Sequence, residues 1–163
     1  MSEGNLVSTH LSFLRSACGT AEGAIRLADE KVGYTLLVLG ILVASLSLRA
    51  DRLLSVLIAP DQSLALRALL VAGAAVFLGA AGVSFVYALR SRSLSVDPPT
   101  DVPSTLSHLA SLKLEGLVEE LGRALYQRAE IAGRKLTLLR RCLIWAVAAL
   151  ASWAWVLLIS LVA

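Results

Sequence analysis

Two short stretches of this chain hold the residue types that could bind or move charge. Asp29, Glu30 and Lys31 precede one apolar run, and Tyr126, Arg128, Glu130, Arg134 and Lys135 precede another. Arginine forks and a lysine ammonium suit a phosphate, and a tyrosine ring can stack on a base. The same side chains also suit ion pairing between adjacent helices, Asp29 with Lys135 or Arg134, together with contact with anionic lipid. Both readings stand on residue types alone, and they define one candidate ligand-binding set: Asp29, Lys31, Tyr126, Arg128, Arg134 and Lys135.

Little else in the chain points to chemistry. His10 and His108 fall in different segments without carboxylates or cysteines at ligand spacing, so no metal is expected. Cys18 and Cys142 belong to no CxxC pair and read as reduced, packed thiols. There is no Gly-rich phosphate loop, nucleophile elbow or Ser/His/Asp arrangement of known spacing. The apolar runs hold no ionisable side chain at their centres, which argues against a proton-coupled transporter or an intramembrane hydrolase. No catalytic residue and no cofactor is expected, and the chain does not read as an enzyme.

The elements that must position the candidate set are helices. Hydrophobic residues make up 57% of the chain and the mean hydropathy is +0.76, beyond the roughly 45–50% apolar content of soluble domains. Three uncharged runs approach or reach spanning length: Val32–Leu48, Ala68–Leu89 and Cys142–Ala163. The first holds 17 residues, so Lys31 and Arg49 are expected to reach the interfaces at its ends. The expected fold class is all-α, an integral membrane protein with three transmembrane helices, the first and third continuous with cytoplasmic amphipathic helices.

The organisation reads as follows. Residues 1–8 are expected to be disordered. Residues 9–31 carry Leu11, Leu14, Cys18, Ala21, Ile25 and Ala28 at helical spacing, with Ser8 or Thr9 as N-cap, and lead into a first span at 32–48. An outer loop at 49–63 contains an interfacial helical turn, Leu53 to Ile58, ended by Pro60. The second span covers 64–89. An extended linker at 90–103 contains Pro98, Pro99 and Pro103. Residues 104–141 form the second amphipathic helix, capped by Asp101 and striped by Leu106, Leu109, Leu114, Leu117, Leu121 and Leu125. The last span, 142–163, follows without a break. Small residues Ala68, Ala72, Ala75, Gly79 and Gly82 in the second span, with Gly40 and Ala44 in the first, are expected to let these two spans pack closely within one chain, or else to form a seam between copies. The two amphipathic stripes are expected to pack together, or with copies from neighbouring chains.

Basic residues decide the expected orientation. Twelve lysines and arginines lie before the first span or between the second and third, against three (Arg49, Arg52 and Arg67) between the first and second. The positive-inside rule then places the N-terminus and residues 90–141 in the cytoplasm and the C-terminus outside. The basic residues form no patch with interleaved aromatics, so nucleic acid is not an expected partner.

Two blocks of the chain resemble a known family. The stretch Arg26–Gly33, running into a span as ADEKVGYTLLVLGIL, is similar to the "aDxKA" approach to the first membrane helix of the Pycsar transmembrane effectors (PycTM). The stretch Leu121–Lys135 resembles their second block, where a leucine-rich helix carries an aliphatic-aromatic pair, then "IAxxK", then the last span. The likeness runs in order from Phe13 to Ile159. Val32 stands where the family often has alanine, and no FF pair occurs near the inter-span linker. The resemblance implies antiphage defence at the bacterial inner membrane. A cyclase makes cyclic CMP or cyclic UMP after infection, and the membrane effector senses it and compromises the membrane, causing abortive infection. It also implies that Asp29, Lys31 and Lys135 are the matched functional positions.

The expected function is therefore a homo-oligomeric membrane effector, its partners a cyclic pyrimidine mononucleotide (cCMP or cUMP) and the lipid bilayer. The alternatives are a scaffold or accessory subunit anchoring a cytoplasmic partner, and a small constitutive channel.

Overall fold

A computed structural model describes residues 3–60, 62–94 and 114–162. Four helices account for almost all of them: α1 (Glu3–Ser47), α2 (Ala50–Ile58), α3 (Leu64–Ser93) and α4 (Leu114–Val162). No strand occurs among the described residues. Three helices, α1, α3 and α4, are long and apolar enough to cross a membrane. Asp101, His108, most of the linker and residues 104–113 of the second amphipathic stretch lie outside the described residues.

The expected helices are present among the described residues, with a difference at two places. Helix α3 runs on to Ser93, so residues 90–93, expected in the extended linker, are helical because no proline comes before Pro98 to stop the helix. The first helix starts early. The helix begins at Glu3, not at Thr9, so residues 3–8, expected to be disordered, are helical. Ser8 and Thr9 therefore do not cap it. Once a long helix is nucleated, adding residues at its end costs little, and the polar composition of 3–8 does not stop it. At the other end, α1 closes with a tight turn in which Arg49 N–H donates to the Leu46 carbonyl at 3.1 Å.

The 49–63 segment contains a short helix, α2, which covers the helical turn expected at Leu53 to Ile58 and begins three residues earlier. α2 ends at Ile58, and Ala59 turns extended (φ −58°, ψ 121°), as a residue before proline does. Ser63 then caps α3: its hydroxyl accepts the Leu66 N–H at 3.3 Å.

The chain forms two compact units, Met1–Asp29 with Arg92–Thr137, and Glu30–Ser91 with Leu138–Ala163. Helices α1 and α4 contribute to both.

In the second unit, Leu39 and Leu42 of α1, Phe77 and Ala80 of α3 and Ala149 of α4 form one buried cluster. Val56 of α2, Leu70 of α3 and Ile159 of α4 form another. Most polar groups in this unit are matched locally or across helices, Arg67 Nε and Ser91 Oγ being the buried atoms without a hydrogen-bond partner among the described residues. Trp153 donates its indole N–H to Ser45 Oγ at 2.8 Å, and Ser45 donates to the Leu42 carbonyl at 2.8 Å. Buried Ser84 donates to the Cys142 carbonyl at 2.9 Å and lies 3.3 Å from its Sγ. Such pairing is what a low-dielectric surrounding demands of every polar group. The outside of the unit is as apolar as its inside: Leu37, Ile41, Val76, Leu78, Phe85, Ile144 and Leu158 are all exposed. A protein solvated by hydrocarbon looks like this.

The small-residue stripe corrects an expectation. Ala68, Ala72, Ala75, Gly79 and Gly82 are exposed, as are Gly40 and Ala44, and a Cβ added at Gly40, Gly79 or Gly82 would touch nothing. They do not form the seam within the chain. The buried side of α3 is the row Leu70, Gly73, Phe77, Ala80, Ser84, Ala88 and Ser91. Gly73 is the close-approach glycine, because a Cβ there would stand 3.0 Å from Val156 Cγ2 and 3.1 Å from Trp155 Cδ1.

Candidate functional site

Within the first unit, α1 and α4 meet through two ion pairs between helices. Arg128 Nη1 lies 2.8 Å from Glu22 Oε1. Seven residues further along each helix, Lys135 Nζ donates to Asp29 Oδ1 at 2.7 Å and to Oδ2 at 2.8 Å. Both pairs join residues 106 apart in sequence, so the two helices run parallel and in register. Seven residues is close to two helical turns, which returns both partners to the same facing sides.

The two pairs differ in surroundings. Glu22 is 60% exposed and Arg128 34%, a rim contact of the kind worth ~0.2–1 kcal/mol. The Lys135 side chain is only 4% exposed while Asp29 is 40% exposed. Ala28, next to Asp29, and Ala132, about one turn before Lys135, are buried as well. A lysine ammonium is among the costliest groups to bury, and its carboxylate partner is what makes that burial tolerable.

The two other basic clusters on α4 are satisfied within the helix. Arg134 donates to Glu130 Oε1 at 2.6 Å and Arg123 to Glu119 Oε1 at 3.3 Å, each four residues back along the helix. Of the two partners open to Asp29 in sequence, the structure selects Lys135. Tyr126 is 72% exposed. Lys31 is exposed and belongs to the second unit. The candidate set is thus divided: Asp29, Lys135 and Arg128 sit on the α1–α4 seam, Arg134 is occupied on the solvent side, and Tyr126 stands open.

Glu22 is the residue that sequence reasoning left out of the set. The signal for it was present: Glu22 and Arg128 repeat the 106-residue separation of Asp29 and Lys135, one heptad earlier on each helix.

The two family-like motifs therefore meet in space, the aspartate of the first bonded to the lysine of the second. A family model described as PycTM, Pycsar effector protein domain, matches residues 13–162. No curated protein and no solved structure matches the chain. The model spans both ion pairs and all three long apolar helices, and on that match the chain belongs to the PycTM family, the Pycsar effectors of antiphage defence.

Proposed function

We propose that this protein is a non-enzymatic inner-membrane effector that responds to cyclic CMP or cyclic UMP by compromising the membrane, and that Asp29–Lys135 is the contact the nucleotide disturbs. The observation that carries the reading is the burial of a lysine on a single carboxylate at the α1–α4 seam. A cyclic nucleotide carries a phosphodiester anion, the one part of it that can replace a carboxylate on an ammonium. Arg128, one heptad away, gives that anion a second cation, and exposed Tyr126 offers a ring for the base. Once Asp29 is displaced, the two helices lose their most buried polar contact. Because α1 and α4 are each unbroken into the apolar stretches, a change of pairing is passed on through continuous helix. In this reading the N-terminus and residues 90–141 face the cytoplasm, where the nucleotide is made, and the C-terminus faces the periplasm.

The effector acts as a homo-oligomer. The outward small-residue stripe of α3 supports close approach of a second copy in lipid.

The test is dye release from liposomes holding the purified protein. Release on adding cyclic CMP or cyclic UMP, lost in Lys135→Ala with membrane insertion intact, is the expected result. Absence of release with both nucleotides overturns the reading. Unchanged nucleotide affinity in both Lys135→Ala and Arg134→Ala returns the cluster to plain ion pairing.

One observation favours a second reading. Phe13 and Leu27 of the first unit are exposed, Phe13 to 68%, a surface that a protein partner could cover if the chain were an accessory scaffold. A stoichiometric partner recovered from detergent, with no toxicity when a cyclase is co-expressed, would select it.

A further inference from the structure

The second unit contains a groove that the sensing mechanism does not use. It has a volume of about 570 Å³ and lies among Val43, Leu46 and Ser47 of α1, Leu53 and Leu57 of α2, and the stretch of α3 from Leu70 to Leu78. This is within the roughly 300–1,000 Å³ of ligand cavities. Its lining is almost wholly apolar, and its one hydroxyl, Ser47 Oγ, already donates to the Val43 carbonyl at 3.0 Å. The groove therefore offers no polar partner inside and suits a hydrocarbon.

Its position along α3 narrows the occupant. The lining begins at Leu70, three residues from Arg67, and ends at Leu78. At 1.5 Å per residue this covers a depth of roughly 5 to 16 Å from the arginine, which is one leaflet of a hydrocarbon core about 30 Å thick. Charge gathers at the end where a headgroup would lie. Arg49 and Arg52 are exposed and have no ion-pair partner among the described residues. Arg67 donates one guanidinium nitrogen to the Ala59 carbonyl, while its buried Nε has no hydrogen-bond partner. The segment carries two carboxylates, Asp51 and Asp61, against these three cations.

We propose that the groove among α1, α2 and α3 is a phospholipid site, holding one acyl chain of the leaflet on the Arg67 side with the lipid phosphate at Arg49 and Arg52. Helix α2 then acts as the collar that keeps the chain in place, its Leu53, Leu54 and Leu57 lining the groove, its Val56 anchoring it against Leu70 and Ile159 and its Arg52 exposed. This site is independent of the nucleotide reading, and neither proposal depends on the other.

The test is native mass spectrometry of the full chain, reconstituted in vesicles of phosphatidylethanolamine and phosphatidylglycerol and re-extracted in mild detergent. One retained phospholipid per chain is expected. Ala74→Phe fills the groove and should lower retention about tenfold, equivalent to ~1.4 kcal/mol. Arg49→Gln with Arg52→Gln alters two exposed side chains without touching the core, and should lower it several-fold even if Ala74→Phe fails to fold. Retention unchanged in the arginine variant overturns the assignment of the phosphate. Retention unchanged in a folded Ala74→Phe, or no retained lipid together with cross-linking between copies through cysteines placed at Val71, overturns the site.

Discussion

Lys135 and Asp29 hold each other with two contacts of 2.7 and 2.8 Å, yet they are unequally buried, the lysine at 4% exposure and the aspartate at 40%. Loss of the aspartate strands a buried ammonium, whereas loss of the lysine leaves a carboxylate that water can reach. Asp29→Ala should therefore destabilise by about 3 kcal/mol or more, the cost of breaking a buried pair from the wrong side. Lys135→Met, which keeps the apolar stem, should cost about 1 kcal/mol, the net worth of an ordinary hydrogen bond. Thermal unfolding in detergent checks this; equal losses in the two variants would contradict it.

The Glu22–Arg128 pair makes a contrasting prediction. Its partners are open to solvent, so a double-mutant cycle with Glu22→Gln and Arg128→Gln should give a coupling energy of ~0.2–1 kcal/mol. Raising the salt concentration should reduce that coupling. The Asp29–Lys135 coupling should be larger and change less with salt.

Trp153 and Ser45 provide a measurable contact in the second unit. Ser45→Ala removes the acceptor 2.8 Å from the indole N–H and should cost ~1–3 kcal/mol, because the donor is left with no partner. Trp153→Phe removes the donor as well as the demand and should cost less than Ser45→Ala does. A shift in Trp153 fluorescence on Ser45→Ala, measured with Trp145 and Trp155 replaced, reports the same loss.

The glycines of α3 should separate into two classes. Gly73→Val forces branched carbons against Val156 and Trp155, already 3.0 and 3.1 Å from a first added carbon, and should cost ~1–3 kcal/mol as overpacking. Gly79→Leu and Gly82→Leu meet open space and should fold normally. If α3 presents the seam between copies, those two variants should run as smaller species in size-exclusion chromatography.

The two cysteines should react in sequence. Cys142 is fully buried and Cys18 is half-buried, so a maleimide should modify Cys18 in the folded protein and Cys142 only after denaturation. Early labelling of Cys142 would show that the Ser84 contact opens.

The parts of the fold that could be read from sequence are those set by the contrast between charge and hydrocarbon. The three apolar runs, the join of the first and last to amphipathic helices, and α2 stopping short of Pro60 all follow from that contrast. The orientation of the small-residue stripe does not. In lipid both sides of a helix are apolar, so hydrophobic period no longer marks the inward face, and shape decides. Phe77 fits against Leu39, Leu42 and Ala149, which leaves Gly79 and Gly82 outside. At the site, residue types restricted Asp29 to two basic partners. Choosing between them required the register of α1 against α4, which places Lys135 inward and lets Arg134 turn back to Glu130.

The constant separation of 106 residues has a mechanical side. Sliding α1 past α4 by one turn, about 5.4 Å, parts Glu22 from Arg128 and Asp29 from Lys135 together. For these four side chains the next matching alignment lies a full heptad away, about 10.5 Å, and it makes only one new pair, Glu22 with Lys135 or Asp29 with Arg128 according to the direction of the slide. Intermediate displacements find no rest stop, so the seam behaves like a latch with a shut position and a distant notch.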